Sequence, residues 1–193
     1  DMVAPGHGPV LRKDIDKYVD LYRQWSQPPA AGDSERPKIV LAYISIYGFT
    51  KMLADTLAEG VSSIGDFDIQ TFSLVEDKLE DDELLDRIVA AIADADGLLL
   101  GSNTVNGDAL PQVWKLLGRL SPITHGDKVA MAFGAYGWSG EAVPSIENRL
   151  RALRMKVLPG YRVNFKPSER NLEDAFNLGM DFARAVLEKK QDQ

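Results

Sequence analysis

From Lys38 onward, short unbroken apolar runs alternate with segments of helical period, and no other feature restricts the possible folds so tightly. The strongest runs are Ile39–Ile44 ("IVLAYI"), Gly97–Gly101 ("GLLLG") and Val129–Phe133 ("VAMAF"), with weaker ones at Phe67–Leu74 and Val157–Val163. After them, apolar residues recur at helical spacing over about Lys51–Ser63, Asp81–Ala93, Pro111–Leu120, Ala142–Leu153 and Leu172–Lys189. A strand that is apolar on both sides must be covered on both faces, as parallel strands between two helical layers are. Five such strand–helix units predict an α/β fold: a doubly wound, five-stranded parallel sheet in three α/β/α layers, with strand order 2-1-3-4-5.

The first 36 residues do not share this rhythm. "DMVAPGHGPVLR" is too rich in Gly and Pro for a regular element, whereas Asp14–Trp25 carries Ile15, Tyr18, Val19, Leu21, Tyr22 and Trp25 at the spacing of a short helix. The stretch "SQPPAAGDSERP" then reads as a linker. The expected division is therefore a leading piece, 1–36, and a sheet domain, 37–193. The acidic run Glu80–Glu83 is expected to begin a helix, where negative charge meets the positive end of the helix dipole.

Composition removes several classes of function. A net charge of −7 does not provide the clustered Lys and Arg of a nucleic-acid surface. No apolar stretch reaches the ~18 residues of a membrane span, and no basic-then-apolar leader opens the sequence. With no Cys, the chain holds neither disulfides nor a thiolate metal site, and a cytoplasmic setting is the expectation.

In an open α/β sheet, ligands sit beyond the carboxyl ends of the strands, at the point where the winding reverses. Topology thus selects three segments for inspection: "SIYGFT" after the first strand, "SNTVNGDALP" after the third and "GAYGWSGEA" after the fourth. In the first, the hydroxyls of Ser45 and Thr50 accompany the backbone N–H groups around Gly48 at a helix N-terminus, which suits a phosphate without a cation. Neither G-x-x-x-x-G-K-[ST] nor G-x-G-x-x-G occurs here, so a phosphate monoester is expected rather than a triphosphate or a pyrophosphate. In the other two segments, Tyr136 and Trp138, with Tyr47 from the first, can lie against a flat ring. Gly137 and Gly140 admit backbone amides to its heteroatoms, and Asn103, Thr104 and Asn106 offer donors and acceptors to its edge. A phosphate site and a heterocycle site in one crevice together describe FMN. The expected cofactor-binding set is Ser45, Ile46, Tyr47, Gly48, Phe49 and Thr50; Ser102, Asn103, Thr104, Val105, Asn106 and Gly107; and Ala135, Tyr136, Gly137, Trp138, Ser139 and Gly140.

These motifs resemble the flavodoxin-like domain of flavodiiron proteins (A-type flavoproteins). "SIYGFT" keeps the Ser, Gly and Thr of a flavodoxin phosphate loop and has Tyr47 before the glycine, as in the flavodiiron branch. "GSNTVNGDALPQVWKLLGRL" and "FGAYGWSGEAV" resemble that family's second and third flavin loops, the latter placing Trp138 beside the ring. "APGHGPVLR" resembles the end of the metallo-β-lactamase-like domain that precedes the flavodoxin domain in those proteins. His7 then falls on the last iron-ligand histidine. The other ligands of that di-iron centre lie in motifs this chain lacks, and His125 is expected to be an ordinary loop residue.

The resemblance implies an FMN-binding electron-transfer domain of an oxidoreductase that reduces oxygen to water, or nitric oxide to nitrous oxide, at iron in its other domain. It also implies an electron donor, such as rubredoxin or an NAD(P)H:flavin reductase domain, and a head-to-tail homodimer. The alternatives are a free-standing flavodoxin carrier or FMN-dependent NAD(P)H:quinone reductase, and a flavin-free interaction module. A phosphorylated receiver of the same topology would need acidic residues where Ile44–Ser45 and Gly101–Ser102 stand.

Overall fold

The computed structural model describes residues 2–26, 36–74 and 82–191, and its contacts divide the chain into two units, Asp1–Ser34 and Glu35–Gln193. Most of the linker read at 26–37, and Glu80 and Asp81 of the acidic run, lie outside the described residues. In the first unit Val3 and Leu11 form an antiparallel bridge through two backbone hydrogen bonds, with His7 in the exposed turn between them. Helix α1 (Ile15–Ser26) follows, with Ile15 and Leu21 its less exposed positions.

The second unit is a three-layer α/β/α sandwich. Its strands β1 (Lys38–Tyr43), β2 (Asp68–Ser73) and β3 (Gly97–Gly101) are joined by helices α2 (Phe49–Ser62) and α3 (Asp82–Asp94). A two-residue pair, β4 (Thr104–Val105) and β5 (Asp108–Ala109), precedes α4 (Pro111–Arg119) and β6 (Val129–Tyr136). Helix α5 (Ala142–Ala152), short strands β7 (Lys156–Val157) and β8 (Tyr161–Asn164), and α6 (Glu169–Gln191) complete it. The sheet runs β2-β1-β3-β6, with β7 and β8 both pairing in parallel with β6, which is the expected 2-1-3-4-5 order.

The fifth strand position differs from the single run read at Val157–Val163. Pro159 and Gly160 interrupt it, and Glu147 on α5 accepts the Gly160 N–H, so β7 ends and β8 begins again further along β6. Proline cannot donate to the ladder, so the break falls where the sequence removes the donor. At the other end of the last helix, Ser168 and Asn171 bond each other's backbone N–H groups (3.1 and 3.3 Å). That reciprocal cap starts α6 earlier than the apolar periodicity alone suggests.

Alternation along each strand divides the core in two. Ile39, Leu41, Tyr43, Leu99, Met131 and Phe133 pack against α2 and α6, while Val40, Ala42, Ile44, Leu98, Leu100 and Ala132 pack against α3, α4 and α5. On the first face α2 and α6 cross in close contact: a methyl on Gly60 would collide with the Phe176 carbonyl, and one on Gly179 with the Leu57 carbonyl. On the second, buried Lys128 donates to the Ala93 and Ala95 carbonyls (2.9 and 2.6 Å) at the end of α3. Burial lowers its pKa.

His125 is not an ordinary loop residue. It is buried in the turn before β6, where its Nδ1 accepts the Ser121 N–H at 3.1 Å and meets the Thr124 hydroxyl at 2.7 Å.

Two predictions follow from this packing. Gly60→Ala or Gly179→Ala should lower unfolding free energy by about 1–3 kcal/mol through overpacking. Gly118→Ala, on the exposed side of α4 with open space around it, should raise it by about 0.5–1 kcal/mol; urea titration measures all three. Burial also holds the His125 pKa below its ordinary 6.5, so the unfolded chain binds the proton more readily. The stability from His125 is therefore complete above 6.5 and declines as pH falls through the lowered value. Urea midpoints between pH 7.5 and 5.5 should decline in the wild type and decline less in His125→Gln.

Candidate functional site

The exits of β1, β3, β6 and β8 lie at one end of the parallel sheet, and the residues there are held by an interlocking set of backbone bonds. After β1 the chain turns through Gly48, which caps α2 in the left-handed region (φ 80°, ψ −11°) that a side chain would strain. The Ser45 hydroxyl accepts the Lys51 N–H at 3.2 Å, and the buried Thr50 hydroxyl accepts the Ala135 N–H at 3.2 Å. Because both hydroxyls accept from an amide, each retains its own proton to donate. The backbone N–H groups of Tyr47, Gly48, Phe49 and Thr50 have no acceptor among the described residues. Lys51 turns instead to Asp55, an ion pair one helical turn away, so it brings no cation to this turn.

The second segment fastens the first to the third. Asn103 Oδ1 accepts the Ile46 N–H at 2.9 Å, and its amide nitrogen lies 3.4 Å from the Ala135 carbonyl. Ser102 Oγ donates to the Asn103 carbonyl (2.8 Å) and accepts the Leu110 N–H (3.1 Å), while Thr104 Oγ1 accepts the Ala142 N–H (3.2 Å). Asn106 and Gly107 both have positive φ (52° and 77°) and join β4 to β5. Left-handed torsions at both central residues are what a two-residue hairpin demands, and Asn-Gly is the pair that meets that demand. The Asn-Gly dipeptide between Val105 and Asp108 is a hairpin signal present in the sequence itself.

Strand β6 runs on to Tyr136, three residues past the apolar run read at Val129–Phe133. Beyond it, the two glycines of the third segment lie under aromatic rings. A side chain at Gly140 would meet the Tyr136 ring at 2.9 Å, and one at Gly137 would meet the Phe165 ring at 3.4 Å. Arg162 of β8 donates to the Gly140 carbonyl at 3.2 Å. The Ser139 hydroxyl, then Glu141's own amide and Arg162, hold the Glu141 carboxyl below its ordinary range.

A cleft open to solvent lies between these segments. Nine expected residues line it: Ile46, Tyr47, Phe49, Asn103, Thr104, Val105, Ala135, Tyr136 and Gly137. Ser45, Gly48, Thr50, Ser102, Asn106, Gly107, Ser139 and Gly140 lie outside the lining, several of them holding those nine in place. Trp138 is also outside it and is 94% exposed. The tenth lining residue, Phe165, follows the fifth strand position, whose exit the choice of three segments left out. Among the described residues no group of three or more His, Asp or Glu could hold a metal ion, and none of the helices is long and apolar enough to cross a membrane.

Comparison with known proteins agrees with this geometry: residues 41–179 match the Flavodoxin family. The chain belongs to the flavodoxin family. It is 36% identical over 184 residues to the type A flavoprotein fprA of Rhodobacter capsulatus, covering 94% of this chain and 41% of that protein. It is 34% identical to the flavo-diiron protein FprA2 of Clostridium acetobutylicum, covering 96% of this chain and 45% of that one. Among solved structures, the flavodiiron protein from Giardia intestinalis superposes with a TM-score of 0.73 at 26% identity, over 99% of this chain and 45% of that one. The chain thus spans less than half the length of each of these proteins.

The cofactor of this flavodoxin domain is FMN. The residues present fit it: four unpaired amides and two hydroxyls with a free proton answer a phosphate monoester, and the cleft lined by Tyr47, Phe49, Tyr136 and Phe165 answers a flat ring. Asn103 joins the two halves. Asn103→Leu, close in size but unable to bond Ile46 or Ala135, should lower the unfolding free energy by about 1–3 kcal/mol, and urea denaturation without flavin reads this directly.

Proposed function

We propose that this chain is the FMN-bearing, electron-carrying part of a flavodiiron oxidoreductase whose di-iron centre reduces oxygen to water or nitric oxide to nitrous oxide. The observation that carries the reading is the Gly48 turn, whose four unpaired amides stand beside the aromatic-lined cleft. In this reading residues 37–193 are the flavodoxin domain and 1–36 the tail of a metallo-β-lactamase-like domain with its helix and linker. The division of contacts between Ser34 and Glu35 supports that boundary, as does similarity to the flavo-diiron protein FprA2 over nearly the whole chain. His7, in the exposed turn of the first unit, would be one ligand of the parent's iron.

FMN, when bound, accepts electrons from a donor and releases them to the iron. The chain's own residues hold and orient it. The amides from Tyr47 to Thr50 and the Ser45 and Thr50 hydroxyls receive the phosphate by hydrogen bonds, with the dipole of α2 behind them. Tyr47, Tyr136 and Phe49, which line the cleft, would shield the ring, and exposed Trp138 in the same loop as Tyr136 would add to that shielding. The hairpin through Asn106 and Gly107, with Ser102, Thr104, Val105 and the Ala135–Gly140 segment, would complete the enclosure. No side chain here has to act as acid, base or nucleophile. The reading further assigns a cytoplasmic setting, rubredoxin or an NAD(P)H:flavin reductase domain as electron donor, and a head-to-tail homodimer in the parent.

Titration of the purified chain with FMN should quench flavin fluorescence and shift its visible absorbance, and saturating FMN without such change would end the reading. Gly48→Val should raise the FMN dissociation constant roughly tenfold by straining the left-handed turn. The effect on riboflavin, which has no phosphate, should be much smaller.

A further inference from the structure

The cleft has an aromatic wall that none of the three expected loops supplies. Phe165 comes from the exit of β8, lines the cleft, and is 61% exposed. A large aromatic side chain is ordinarily placed to avoid both solvent and strain, and Phe165 avoids neither. Its φ is 57°, in the left-handed region where a bulky residue is an outlier. Two contacts accompany this conformation. Its N–H donates to the Tyr136 carbonyl at 2.7 Å, continuing the β6–β8 ladder by one bond. Its ring lies beside Gly137, 3.4 Å from where a Cβ there would stand, which is ordinary contact distance. Two residues later Pro167 is buried.

Strained backbone at a cleft is maintained only where the surroundings over-determine it, and it is informative when the strained residue faces the ligand space. Gly140 makes room for the Tyr136 ring of the same cleft, 2.9 Å from where a Cβ would stand, and Gly137 lies beside the Phe165 ring at contact distance. Resting on the FMN reading above, the geometry points to Phe165 as a ring-binding residue of the flavin site, a fourth wall delivered by the fifth strand. Its left-handed backbone is the means by which the ring is turned toward the cleft.

A wall for the ring has a signature that a structural role lacks: it acts equally on flavins with and without phosphate. Phe165→Gly relieves the left-handed strain, so thermal stability should be unchanged or raised. The dissociation constants for FMN and riboflavin should nevertheless both rise, by roughly three- to tenfold. Phe165→Tyr should return both to within about twofold of the wild type. In the unaltered chain, riboflavin should shift the aromatic proton resonances of Phe165 by ring current, a measurement that needs no variant to fold.

Equal affinities in wild type and Phe165→Gly would overturn the assignment, as would a loss confined to FMN or unmoved Phe165 resonances at saturating riboflavin. These outcomes leave the FMN reading intact. Failure of the unaltered chain to bind either flavin removes both.

Discussion

Two-sided burial of β1, β3 and β6 governs everything else in the sheet domain. Because alternate residues of each strand enter opposite cores, no strand can slip by one residue without exchanging the sets that face α2 and α6 and those that face α3, α4 and α5. Fixed register and parallel direction bring the exits of these strands to one end, within hydrogen-bonding reach of each other. The Ile44 N–H bonds Gly101, and the Ser102 N–H bonds Phe133, so the first, second and third loops start from a common level. The flavin site is a consequence of that alignment.

Within it, polar side chains bond each other's loops, and Asn103 and Thr104 also line the cleft. Asn103 bonds backbone atoms of two segments, Thr50 reaches across to Ala135, and Thr104 to Ala142. Such bonds convert three separate turns into one preorganised frame, which reduces what must be ordered when a ligand arrives. The unpaired amides of the Gly48 turn are the complement of this frame. They remain available because nearby acceptors are already engaged: Ser45 with Lys51, and Asn103 with Ile46.

Much of this was legible from local pattern. The strand order, the three loops and nine of the ten cleft residues follow from apolar runs, helical periods and the rule that ligands gather at strand ends. Other features followed from local chemistry that was present in the sequence and read differently. Asn106–Gly107 satisfies a hairpin's torsions, Pro159–Gly160 divides the fifth strand, and Ser168 with Asn171 starts α6 early. Trp138, in the same glycine-rich loop as Tyr136, is exposed and lies outside the cleft lining.

The sequence alone therefore determined the periodicities, and with them the layer order and the end of the sheet where chemistry gathers, because those depend on which side of each element avoids water. Tertiary structure decided the occupancy of that end. Whether a hydroxyl holds a neighbouring loop, whether a glycine makes room for a ring, and whether Phe165 turns into the cleft all depend on residues far apart in the chain. Their distances are set only when both cores close on the sheet. The burial of His125 is of the same kind: nothing in "SPITHGDK" announces it, and within a turn whose Pro122, Ile123 and Thr124 are exposed, its side chain alone is buried.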